Sequence, residues 1–199
     1  MSEIDKVRWR GGTQLAPVPA VLVGCGDHRR WRYNLITVAW CGTVASDPPQ
    51  LSISVRKERY SFAPISEMGE FTVNLPDKSM VAALDNCGIL SGRDIDKFAL
   101  HQLTAVPGDL VAAPIVAEAP LSMECKVLHT LDLGSHTMFI GEIVAVQVTA
   151  DLISDDGKCD IERAGLVAYA HGHYFELGHC LGSFGFSVRK KDRNNGKTH

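Results

Sequence analysis

Residues 34–61, NLITVAWCGTVASDPPQLSISVRKERYS, decide the fold. They hold two β-rich runs joined by a turn. The first run, 35–45, is mostly apolar, broken by Thr37, Cys41, Gly42 and Thr43. Ser46-Asp47-Pro48-Pro49 interrupts it, because each proline lacks a backbone donor and fixes φ. The second run, 51–55, alternates apolar residues with serine, the period of a strand with one buried face. It then enters Arg56, Lys57, Arg59, Tyr60 and Ser61. Cations and hydroxyls gathered at the end of a strand are what a phosphate requires.

The same pattern extends on both sides. Residues 1–16 read as a lead-in strand and loop, and 20–26 as a short apolar strand. A polar, arginine-rich loop follows at 28–33. The spacing predicts a short helix at Phe62–Met68, with Pro64 tolerated in its first turn and Gly69 as the stop. Glu70–Leu75 alternates as a strand. Residues 78–86 read as a helix ending near Gly88, 91–94 as a turn, and 95–100 as another short helix. The rest is mainly β: 115–118, Leu121–Asp132, 136–148 with a bulge near Gly141, 166–171 and 174–177. In Leu121–Asp132, Leu121, Met123, Cys125 and Val127 share one face, with Ser122, Glu124 and Lys126 opposite. No strand leads through GxGxxG into a helix, and no P-loop is present. The pattern predicts a mainly β chain, an antiparallel barrel with small helices packed outside. One domain spans 1–188, and a charged, frayed tail is expected at 189–199.

Composition narrows the function classes. The 199 residues suit one domain with a substantial core, and 45% are apolar. A net charge of −3 gives no electrostatic case for nucleic acid or an anionic membrane. No apolar run approaches the ~20 residues of a membrane span. MSEIDKVRWR lacks the apolar segment of a secretory signal, so the expectation is a cytoplasmic protein. Its six cysteines (Cys25, Cys41, Cys87, Cys125, Cys159, Cys180) include no Cys-x-x-Cys pair and read as mostly buried free thiols. His171, His173 and His179 near Cys180 match no metal template, so no metal is expected.

Four segments, in order, resemble the flavin reductase-like family, the FMN-binding split barrels that include flavoredoxins. The first is Asn34-Leu35-Ile36-Thr37-Val38-Ala39-Trp40-Cys41-Gly42, similar to N-x-x-T-V-A-W-T-G. The second runs from Ser46-Asp47-Pro48-Pro49 through Ser52-Ile53-Ser54-Val55-Arg56 to Arg59-Tyr60-Ser61. The third comprises Asn86-Cys87-Gly88, Ser91-Gly92, Asp94 and Asp96-Lys97-Phe98. The fourth, 134–143, is similar to G-D-H-x-x-F-I-G-x-V. Cys41 stands where the family commonly has threonine, and Ser135 where it has aspartate. The likeness covers roughly residues 17–180.

The resemblance implies an FMN-binding split β-barrel and a residue-by-residue site. Asn34 opens the strand whose Thr37, Val38, Ala39 and Trp40 would carry the flavin ring. Read from the residues alone, that strand fits a buried strand with a core tryptophan equally well. Ser54, Val55 and Arg56 would run along the flavin, with Arg59, Tyr60 and Ser61 near its phosphate. Ser61 also reads as an ordinary helix cap. Asn86, Cys87, Ser91, Gly92 and Lys97 would close over the phosphate, Gly92 through a turn with positive φ. Lys97 reads equally as a solvated lysine. His136 would contact the nicotinamide as the catalytic residue, or be a structural strand histidine. The resemblance implies an NAD(P)H-dependent flavin reductase acting as a homodimer. The alternatives are a flavoredoxin-like electron carrier reduced by a partner protein, and a split barrel repurposed for another ligand.

Overall fold

The computed structural model describes residues 5–188. Strands β1 (Val18–Pro19), β2 (Val21–Cys25), β3 (Asn34–Val38), β4 (Cys41–Ser46) and β5 (Pro49–Val55) lead into helix α1 (Phe62–Met68). Strand β6 (Glu70–Leu75) precedes α2 (Val81–Ile89) and α3 (Lys97–His101). The small hairpin β7 (Ala105–Pro107) and β8 (Pro114–Val116) then gives way to the long pair β9 (Leu121–Asp132) and β10 (Thr137–Val148). A second hairpin, β11 (Val167–Ala170) and β12 (His173–Glu176), completes the fold.

Seven strands form one antiparallel sheet in the order β3-β2-β6-β9-β10-β5-β4. Its outer strands, β3 and β4, are consecutive in the chain. The chain crosses from one edge to the other in only Ala39 and Trp40, whose carbonyl accepts from Ser54 N–H at 2.9 Å. The sheet therefore curls until its edges approach, a mainly β split half-barrel. The single apolar run expected at 35–45 is thus two strands on opposite edges. Hydropathy does not separate them, because apolar residues continue through the corner from Val38 to Cys41, although of β4 it is Cys41 that packs against the interior.

The interior is filled by the apolar faces of these strands. Val21, Val23, Ile36, Val38, Leu51, Ile53, Val55, Phe71 and Phe139 pack together. A second core lies outside the sheet, where Leu22 and Leu35 meet Leu84, Phe98 and Val167. Strand β2 is consequently buried on both faces, which explains its unbroken apolar sequence.

Helix α1 occupies the expected residues and stops at Gly69, whose φ of 68° is left-handed. The expected helix at 78–86 is a 3₁₀ turn, Lys78–Met80, followed by α2, and Gly88 lies inside α2. The register of β10 against β9 slips at Ile140/Gly141 and at Ile143/Ala145, the first at the expected bulge. The lead-in segment carries no strand over 5–16; only Val18–Pro19 pairs, with β11. Its two adjacent glycines and lack of alternation give a strand nothing to bury. The expected tail at 189–199 lies outside the described residues.

Cys25, Cys87 and Cys125 are buried and Cys41 is half-buried, whereas Cys159 and Cys180 are exposed. Among the described residues no helix is long and apolar enough to cross a membrane.

Candidate functional site

Two adjoining cavities open where β3, the Ala39–Trp40 corner and the end of β5 meet the loops around α2 and α3. They share Ile36, Arg56 and Arg59. The first, about 260 Å³, is cationic. The second, about 340 Å³, is largely aromatic and aliphatic.

The first cavity collects Asn34, Arg56, Arg59, Tyr60, Ser61, Ser91, Gly92 and Lys97. Lys97 decides its chemistry. The residue is only 3% exposed, and its Nζ donates to the carbonyls of Leu35 and Cys87, each at 2.8 Å. Among the described residues no carboxylate pairs with it. Burial draws its pKa below the ordinary lysine value; Cys87 and Cys25 oppose the shift and Arg59 adds to it. An ammonium has three donors, so one remains after the two carbonyls. A buried cation without a counter-charge is costly, and an incoming anion removes that cost. The solvated reading of Lys97 is therefore excluded by its burial.

The rest of the cavity supplies directional donors. Asn34 is buried and its Nδ2 donates to Ser61 Oγ at 2.8 Å. The same hydroxyl also hydrogen-bonds the buried Cys25 thiol. The Ser61 side chain makes no capping bond to α1, so its hydroxyl is not serving the helix. Arg59 Nη1 reaches the Ile89 carbonyl at 3.4 Å. Exposed Arg56 pairs with Glu58 at 2.6 Å. Gly92 is placed as expected, but for a different reason. It is not among the positive-φ residues. A Cβ there would instead stand 2.2 Å from Asn34 Oδ1 and 2.8 Å from Tyr60 Cδ1. Close packing, not turn geometry, demands the glycine.

The second cavity collects Thr37, Val38, Ala39, Trp40, Ser54, Val55 and His136. Thr37 Oγ1 donates to the Leu84 carbonyl, which fixes the side chain toward α2. Its proton is thereby committed, and only its lone pairs remain for a ligand. His136 immediately precedes β10, with Nδ1 3.0 Å from Ser135 Oγ. Ser135, which departs from the resembled motif, thus contacts the imidazole.

Two expected residues are not brought in. Asn86 and Cys87 line neither cavity. Asn86 Nδ2 contacts the Ala82 carbonyl at 3.4 Å within α2, and the Cys87 thiol is buried with its pKa pushed up to about 11 by burial. Cys87 serves the site only through its carbonyl on Lys97. Conversely, Tyr169 and Tyr174 line the second cavity, and Arg93 the first, without having been singled out. The two tyrosines are cross-strand partners in β11–β12. Both strands were legible, but nothing local links them to residues 34–61. Among the described residues no group of three His, Cys, Asp or Glu side chains is arranged to hold a metal ion.

Comparison with known proteins agrees with this fold. A family model described as the flavin reductase like domain matches residues 13–178. The structure is similar to the flavoredoxin of Desulfovibrio vulgaris (Miyazaki F), with a TM-score of 0.86 and 38% identity, covering 92% of this chain and 100% of that one. It is also similar to the flavoredoxin of Methanosarcina acetivorans, with a TM-score of 0.84 and 30% identity, covering 93% and 100%. A curated relative, an uncharacterized protein of Archaeoglobus fulgidus, is 31% identical over 142 residues, 71% of this chain and 79% of its own length.

Proposed function

This chain belongs to the flavin reductase-like family, and on that premise we propose an FMN-binding oxidoreductase in which NAD(P)H delivers hydride to the flavin. The buried, unpaired cation of Lys97 carries the flavin half of the reading. It stands beside the Ser61 hydroxyl and the Arg59 guanidinium in a cavity of phosphate-binding character. The adjoining compartment offers the long, largely apolar wall that a flavin ring fits. Bound across the two, FMN would supply the hydride- and electron-accepting ring.

The chain's own residues then bind and orient. Lys97, Ser61 and Arg59 hold the phosphate. Thr37 offers an acceptor, since its proton is held by Leu84. His136 faces the ring compartment, where an imidazole can stack on or hydrogen-bond a carboxamide. Such a reaction asks for alignment of two planar rings rather than for a general acid, and the residues present suit that task.

A second reading, an FMN electron carrier reduced by a partner protein, is favoured by the likeness to two flavoredoxins over more than nine-tenths of the chain. A homodimer accompanies either reading. Exposed Leu15, Trp40 and Val44 border a groove that shares Ala39, Trp40 and Ser54 with the ring compartment. A second copy would cover it, and light scattering measures the mass.

The deciding experiment is an anaerobic visible spectrum of the protein with FMN, before and after NADH and then NADPH. Flavin bands that shift on binding and bleach on nicotinamide support the reductase and name the donor. Bands that stay oxidised with both nucleotides support the carrier. Absence of flavin binding would discard both.

A further inference from the structure

The ring compartment has one wall that the barrel does not build. Tyr169 and Tyr174 come from the β11–β12 hairpin, which belongs to a separate three-stranded sheet with β1. The two residues face each other across the hairpin, with ring centroids 5.5 Å apart and planes at 59°. The hairpin turns at His171 and Gly172, with φ of 47° and 86°. Its base is anchored by Val167, buried in the second core, and by the Asp77–Leu166 bridge. Val18 and Pro19 of β1 pair with Tyr169 and Ala168, and Lys78 reaches Glu176 at 2.9 Å. Inside the compartment's own wall there is one more: Tyr174 Oη donates to Asp85 Oδ1 at 3.1 Å.

Asp85 occupies a telling place. It lies on α2 between Leu84, whose carbonyl holds Thr37, and Cys87, whose carbonyl holds Lys97. Neighbouring residues of one short helix thus tie down the ring strand, the phosphate lysine and the hairpin. The Tyr174 phenol is pushed up to about 12, first by burial and then by its bond to Asp85. It stays a protonated donor at any ordinary pH. The bond to Asp85 gives that hydroxyl a role that phenylalanine could not fill.

We propose that the Tyr174–Asp85 hydrogen bond positions the hairpin so that Tyr169 forms the aromatic wall that selects and aligns the second planar ring entering the flavin compartment. Tyr174 and Asp85 are positioning residues acting through Tyr169, and the assignment rests on the flavin reading above. The incoming ring belongs to a flat heteroaromatic or aromatic redox substrate, the nicotinamide of NAD(P)H being the probe of choice.

The test uses full-length wild type, Tyr174→Phe, Asp85→Ala and Asp85→Asn. Amide exchange of residues 167–176 is followed without flavin. Visible circular dichroism is recorded with FMN bound, and KM and kcat are measured with NADH or NADPH. Tyr174→Phe and Asp85→Ala are expected to speed exchange in the hairpin and to change the visible dichroism of the flavin. They should also raise KM by about 3- to 10-fold, the range for one lost hydrogen bond, with a smaller change in kcat. Asp85→Asn keeps an acceptor oxygen and should restore most of the wild-type dichroism. Tyr174→Phe indistinguishable from wild type in both exchange and dichroism would overturn the clasp. Failure of the flavin reading would show differently, as a wild-type protein that binds no flavin.

Discussion

At the scale of single residues, Lys97 and Gly92 shape the proposed anion site from opposite directions. Lys97 supplies charge that the fold leaves uncompensated. Lys97→Met removes that charge at the cost of two carbonyl contacts, so the flavin-free protein should melt within a few degrees of wild type. FMN affinity should instead fall about 10- to 100-fold, the range for a charge-assisted bond. A flavin titration beside a thermal melt separates the two. Strong destabilisation with unchanged affinity would make Lys97 structural. Arg56→Ala should weaken FMN only a few-fold, because its guanidinium is exposed and already paired with Glu58. Gly92 supplies space. Gly92→Ala drives a methyl into Asn34 and Tyr60, with an expected loss of about 1–3 kcal/mol in stability. It should also displace Asn34 from Ser61 and weaken FMN. A variant with wild-type melting and affinity would show that the loop yields freely. The sequence pointed to Gly92 but through turn chemistry. The true reason, a side chain arriving from residue 34, is not visible in the local pattern.

At the scale of elements, the strands were legible because each has a face with a period of two. That same logic hid Glu124. Alternation along β9 sets Glu124 opposite the apolar face, where a solvent-facing residue is the simple reading. In the structure it is fully buried beneath the loop between β7 and β8. Its oxygens accept from the backbone N–H groups of Asp109, Leu110 and Val111 at 3.0, 2.6 and 3.1 Å, and from Gln147 Nε2 at 2.7 Å. A loop arriving from elsewhere in the chain leaves no mark on a strand's own periodicity. Burial pushes the Glu124 pKa up, but the Leu110, Gln147, Asp109 and Val111 donors outweigh it and hold the carboxyl below its usual range. The sign follows from linkage. A depressed folded-state pKa gives stability that is present above the unfolded value, about 4.3, and is lost as pH falls through the folded value. Glu124→Gln should therefore cost about 2–3 kcal/mol at pH 7 in urea unfolding, the scale of a lost charged acceptor. The gap between variant and wild type should narrow as the pH drops below about 4. A gap independent of pH would mean that shape, not charge, holds the loop.

At the scale of the whole molecule, the site exists only because the sheet curls. Residues 34–40, 54–61, 91–97, 136 and 169–174 are scattered along the chain, and closure brings them to one rim. The order of the segments was readable, but the edge-to-edge passage at Ala39–Trp40 was not. His136 depends most on that assembly. It precedes Thr137, which pairs with Val55 of β5 on one side and Asp132 of β9 on the other. The β10–β5 ladder, with the exposed Lys57–Asp132 pair at 2.5 Å beside it, joins the hairpin that presents His136 to the strand that leads into the first cavity. The imidazole itself is only half-buried and contacts Ser135, so its removal should leave the barrel intact. His136→Ala is accordingly expected to raise KM for the nicotinamide by about 10-fold, the worth of one directed contact, while the FMN dissociation constant moves much less. Steady-state kinetics with saturating FMN, set beside a flavin titration of the same variant, read the two separately. If FMN is lost or the protein unfolds, His136 braces the hairpin and its nicotinamide role falls.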